Sequence, residues 1–231
     1  MKMIKLIVLV ITSPIFCIAQ TKEKPSVKRY FTHTHGISYQ KFDNINNRIK
    51  MFPQYEQLKN TTGTLQFGLI TERNKTIFNY LVTVGSSLSG DNEKRSTATR
   101  FTGFAFDLGY YIYKRKRFSV YPMAGLGLEN FTLVLNRDNS AVPFDSLLNS
   151  TTTRQNVEPL KLANRFITYR LGAGANANSK KYPRNSFGVQ VGYIGSFTDK
   201  DWRINSTQII AKSPKDNLSK LYGHLLFRYL F

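Results

Sequence analysis

Four charged residues and a histidine hold the chemistry that this sequence could do: Asp107, Glu129, Arg170 and Arg228, with His224 close to the last in sequence. Each lies in a stretch where apolar and polar residues alternate: Asp107, Glu129 and Arg170 share the parity of glycines, and His224 and Arg228 that of Lys220. In a strand, that parity points away from the aromatic face. Two carboxylates and two guanidinium groups in a confined space suit a proton relay or a gated polar path. They suit equally a plug of structural ion pairs, because a charge held away from water is costly unless it is paired. The plug is the expected arrangement. Two further histidines, His33 and His35, stand two apart in HTHG, on one face if the stretch is extended. They could edge a metal site, but no third carboxylate or thiolate ligand lies near them. The expected reading is a pair of interfacial histidines close to a strand end. With three histidines and no local signature around any of them, a Ser–His–Asp arrangement finds no support in the sequence. No catalytic residue, metal or cofactor is therefore assigned.

The elements that must position these groups are strands. Eight stretches alternate with period two: 30–42, 62–71, 76–87, 100–113, 118–136, 166–178, 186–198 and 218–231. In the fourth, Phe104, Phe106, Leu108, Tyr110 and Ile112 oppose Gly103, Ala105, Asp107 and Gly109. In the fifth, Leu126 and Leu128 oppose Gly127 and Glu129. Its apolar phase then passes to Phe131, Leu133 and Leu135, which predicts a bulge near Asn130. The connections alternate long (43–61), short (72–75), long (88–99), short (114–117), long (137–165), short (179–185) and long (199–217). All long loops then gather at one end and all short turns at the other, the asymmetry of membrane barrels.

Ten of the fifteen glycines share the polar face. An eight-stranded barrel is just wide enough for side chains to fill. Small residues on the inside make room for larger polar ones, and the aromatics face out. The outward sets carry almost no charge, so the outside is expected to meet lipid. The start of the chain fits export. Lys2 and Lys5 precede the apolar run Leu6–Ile11, and Ala19–Gln20 is the expected cleavage point of a signal peptide over 1–19. The only cysteine, Cys17, falls within that segment, so the mature chain is expected to lack disulfides and thiolates. Residues 20–29 read as a short leader and 30–231 as one barrel domain.

Charge is the least ordinary feature. Without Lys2 and Lys5 the 33 basic residues become 31, against 14 acidic, a net charge of +17. Leader and short turns hold 13 bases (including Lys114, Arg115, Lys116 and Arg117 in one turn) against Glu23 and Glu72. The long loops together reach only about +3 by the same count. Lipid headgroups or an acidic partner at the short-turn end would offset this charge. Nucleic acid is not expected, since that reading would need base-stacking aromatics interleaved with these bases and an exported chain meets little nucleic acid.

The signal peptide, the eight strands, the loop rhythm and the terminal Phe231 resemble the small OmpA-type barrels. The FAFDLGYYIY to YPMAGLGLE hairpin and the basic, Asn- and Tyr-rich composition are similar to the Bacteroidetes outer-membrane β-barrel family, which includes PorT-like proteins. The resemblance implies an all-β, eight-stranded antiparallel transmembrane up-and-down barrel in the outer membrane, exported by the general secretory pathway, with both termini in the periplasm. It brings no catalytic residues with it. The expected role is a non-enzymatic structural or partner-binding envelope component. Its contacts would be outer-membrane lipid and, through the short turns or the 137–165 loop, another envelope protein. A lipid-modifying enzyme and a narrow pore are the alternatives.

Overall fold

A computed structural model describes residues 27–91, 94–179, 182, 184–204, 208–209 and 211–231. The expected signal peptide (1–19), the start of the leader, and Lys180 and Lys181 lie outside the described residues. Eight long strands form the wall: β1 Val27–Gln40, β2 Thr61–Arg73, β3 Thr76–Gly90, β4 Ser96–Tyr110, β5 Phe118–Asn136, β6 Leu160–Asn178, β7 Asn185–Ser196 and β8 Ser219–Leu230. Each pairs antiparallel with its neighbours in sequence. The pairing of β8 with β1, from Tyr30↔Leu230 to Gln40↔Lys220, closes the circle. Closure leaves the wall no free edge, which hydrocarbon would not tolerate.

Alternation divides the side chains cleanly. Phe104, Leu126, Ile167, Val191 and Leu221 are more than half exposed on the outer wall. Gln66, Asn79, Asp107, Arg170 and Arg228 are buried within. Among the described residues no helix is long and apolar enough to cross a membrane. An apolar exterior around a polar interior is the pattern of a transmembrane barrel.

Several expectations are corrected. β1 begins at Val27, so the last residues of the expected leader belong to the wall. Phe42 leaves the strand and stands before helix α1, Asp43–Ile49. The loop expected over 88–99 shrinks to 91–95, because β3 and β4 pair as far as Gly90↔Ser96. β6 begins at Leu160, which shortens the loop expected over 137–165 to 137–159. That loop folds into two short helices, α2 Phe144–Asn149 and α3 Thr151–Val157, and its Phe144 and Leu148 are exposed.

The bulge at Asn130 is absent. β5 keeps one register against β4 from Ser96↔Asn136 to Gly109↔Met123. Phe131, Leu133 and Leu135 therefore point inward, where the long loops cover them. Phe42, Ile45 and Ile49 from the first loop and Trp202 and Leu218 from the last join them in one buried apolar cluster. Aromatics thus line part of the interior as well as the exterior. The rings of Phe42 and Trp202 meet edge to face at 5.5 Å, and those of Phe131 and Phe166 at 5.8 Å.

Candidate functional site

The interior holds three acid–base groupings, ordered from the short-turn end to the long-loop end by their places on the strands. Glu72 is one residue from the end of β2. The sequence groups it with the turn 72–75, but strand parity turns it inward, where it is buried. It pairs with Arg228 of β8 and accepts a hydrogen bond from the Tyr111 hydroxyl. Lys114 completes the group, its Nζ 3.0 Å from Glu72 Oε2 and 3.2 Å from the carbonyl of Asn74. The same ammonium lies 4.2 Å from the centre of the Tyr111 ring, and the Arg228 guanidinium lies 4.1 Å from that of Tyr30.

Above this group, Arg170 Nε donates to Asp107 Oδ1 at 2.9 Å, with both side chains almost wholly buried. Glu129 is four residues further along β5 than Gly125, the rung partner of Asp107. It pairs with Lys220 of β8. The Lys220 ammonium also sits 4.0 Å above the Phe101 ring, at the floor of the apolar cluster. His224 is buried between the groups. Its Nε2 is 2.9 Å from Thr64 Oγ1, and its ring stacks on Tyr222 at 4.9 Å.

The structure thus joins Asp107 to Arg170, and it gives Glu129 and Arg228 partners that are not among the sequence-derived candidates. Alternation puts Lys220 on the polar face of the last strand, yet nothing local ties it to Glu129, 91 residues away. The four bases Lys114–Arg117 separate. Lys114 folds back onto Glu72, while Arg115, Lys116 and Arg117 are exposed. His33 and His35 are not near a strand end. They face outward midway along β1, with His33 stacked on Phe227 at 4.9 Å. Among the described residues no group of three or more His, Cys, Asp or Glu could hold a metal.

Inward glycines make this packing possible. The Tyr222 hydroxyl lies where a Cβ at Gly172 would come within 2.7 Å of it and one at Gly192 within 2.6 Å. Tyr121 covers Gly174 in the same way, and its hydroxyl accepts from Gln190 Nε2 at 2.9 Å. The two tyrosines therefore lie flat over the neighbouring strands inside the lumen, beside the ion pairs that cross it.

The mouth at the long-loop end is tied by Asp216. Its carboxylate accepts from the backbone N–H groups of Asn44 (3.0 Å) and Ile45 (3.1 Å) and from Trp202 Nε1 at 2.8 Å. One residue, set just before β8 and so beside the end of β1, thereby caps α1 and fixes the indole of the cover. Burial raises the Asp216 carboxyl above its ordinary range, while those three hydrogen bonds act to lower it.

A closed meander of eight strands, apolar outside and ion-paired within, defines the class of small barrels found in outer membranes. Among solved structures, the chain is similar to Neisserial surface protein A. That likeness covers 90% of this chain and 100% of the other, at 10% identity and a TM-score of 0.50. It is similar also to a major outer membrane protein from Thermus thermophilus, over 89% of this chain and 100% of that one, at 11% identity and a TM-score of 0.53. Both likenesses concern the fold. No family model and no curated protein matches the sequence.

Proposed function

We propose that this chain is an integral outer-membrane barrel that acts as a structural or partner-binding component of the envelope, without enzymatic or pore activity. The observation that carries the reading is the double closure of the lumen. Ion pairs and tyrosines fill it from the short-turn end, and the apolar cluster of Phe42, Phe131, Phe166 and Trp202 covers the other. A passive pore needs a continuous aqueous path, and an interior of this width filled by side chains leaves none. The buried carboxylates are engaged by Arg and Lys rather than poised beside a nucleophile. That favours structural pairing over a general acid–base role.

The short-turn end then faces the periplasm, with Arg115, Lys116 and Arg117 exposed beside inner-leaflet headgroups. At about 1 kcal/mol per base near an anionic surface, such headgroups offset the mutual repulsion of the turn. The long-loop end faces outward. Phe144 and Leu148, exposed on α2 one helical turn apart, make the 137–159 loop the surface for a protein partner. The test is the acyl profile of envelope lipids with and without the gene, beside detergent extraction of the native protein. The expected outcome is an unchanged profile and a protein found only in the detergent-soluble membrane fraction. An altered acyl pattern would favour a lipid-modifying enzyme and contradict the proposal.

A further inference from the structure

We infer that the outer wall along β7 and β8 binds one anionic phospholipid, its headgroup at the basic rim and one acyl chain laid along the strands toward Gly223. The inference rests on the proposed placement of the short-turn end at inner-leaflet headgroups and adds to it a defined site. At that rim a groove of about 350 Å³ is lined by Ala177, Asn178, Ser179, Asn185, Phe187 and Tyr229. Aromatic walls with amide and hydroxyl groups on the rim match the boundary between headgroup and acyl chain.

Cations bracket this groove. The backbone N–H of Asn178 donates to the Arg117 carbonyl at 2.9 Å, and its side-chain amide to the Lys116 carbonyl at 3.0 Å. The N–H of Leu230 donates to the carbonyl of Arg184 at 2.8 Å. These backbone bonds hold Lys116, Arg117 and Arg184 around one opening. All three are exposed, and none forms an ion pair with a described residue. Glu72, the acid of this end, is buried and already engaged by Arg228 and Lys114. A phosphate group offers the charge these bases lack, and Arg can grip it with paired donors.

The same strands carry a second hollow of about 450 Å³, bounded by His35, Ile37, Val189, Val191, Gly223 and Leu225. Gly223 makes it. It stands on the outward set of β8, and a Cβ built there would meet no atom within 4 Å. The Phe187 and Phe227 rings, 5.3 Å apart, mark the rung between the two hollows. From Tyr229 to Gly223 the strand advances roughly 20 Å, at about 3.4 Å per residue. With a tilt near 40° that is about 15 Å of depth, half of a hydrocarbon core of about 30 Å. The track therefore has the reach of a single leaflet, as one acyl chain requires, and it continues the lipid-facing wall.

The experiment is native mass spectrometry of the full chain in mild detergent, offered an equal mixture of phosphatidylglycerol and phosphatidylcholine with matched chains. Wild type should retain one phosphatidylglycerol under activation that strips phosphatidylcholine. The Arg117→Gln/Arg184→Gln variant should lose that preference. Gly223→Leu fills the open hollow without an internal clash, so it should stay heat-modifiable on gels yet release long-chain phosphatidylglycerol as readily as a short-chain form. Equal retention of both lipids by wild type, or wild-type retention by either variant, would overturn the site. Phosphatidylglycerol vesicles separate this failure from that of the underlying reading. Salt-sensitive vesicle binding that falls when Lys114–Arg117 become Gln would leave the basic rim standing without the groove. No preference for anionic vesicles would remove both.

Discussion

The two ends of the barrel are closed by opposite means. At the short-turn end Glu72, Arg228, Tyr111 and Lys114 make a charged knot; at the long-loop end Phe42, Phe131, Phe166 and Trp202 make an apolar cover. Both use the same inward parity, and β5 carries it from Ser119 through Glu129 to Leu133 without a break. The chemistry changes with what covers the residues. Short turns bring little chain over the lumen, so charges must satisfy one another there. The long loops supply Ile45, Ile49, Trp202 and Leu218, enough apolar surface to make a small core.

The contrast can be broken from either side. Glu72→Ala would leave Arg228 buried without a carboxylate, at a cost of about 3–5 kcal/mol, the largest single effect expected. It should read as a lower midpoint in urea unfolding from lipid vesicles, with Lys114 freed as well. Leu133→Ala, which removes buried methyl groups from the cover, should cost about 3 kcal/mol. That loss should come with a change in Trp202 emission that Glu72→Ala does not produce. Equal emission changes in the two variants would show that the ends are not independent. The smallest effect belongs to the basic turn. Lys114→Gln removes a partly exposed partner of Glu72 and should cost under about 1 kcal/mol. Changing Arg115, Lys116 and Arg117 together to Gln should leave the midpoint where it was, and a shift as large as that of Glu72→Ala would assign the whole turn to folding.

Much of this is legible in the alternation of residues, because period two states which side chains share a face. That places Asp107, Glu129, Arg170 and Arg228 inside. It does not state which acid meets which base, since partners come from strands up to 156 residues apart and depend on the stagger of the barrel. Glu72 is hidden for another reason. Its neighbours Arg73 and Asn74 read as a turn, and Asn74 does adopt a left-handed backbone with φ of 57°. Phe131, Leu133 and Leu135 mislead because an apolar residue in such a wall normally faces lipid. Here β5 and β6 pair beyond the outward apolar band, where Asn130 and Arg165 face out and Arg165 Nε donates to Asn130 Oδ1 at 2.6 Å. Once the hairpin clears the apolar band, inside becomes the dry side. Only the packing of loops that are distant in sequence could reveal that.

The central claim is that the lumen is shut at both ends, and planar-bilayer recording of the purified, refolded full chain tests it most directly. The account predicts no stable conductance for wild type under voltages at which open porins conduct. It predicts none for the Arg115/Lys116/Arg117→Gln variant either, since those bases lie outside the lumen. A steady nanosiemens-scale current from the wild-type protein would contradict it.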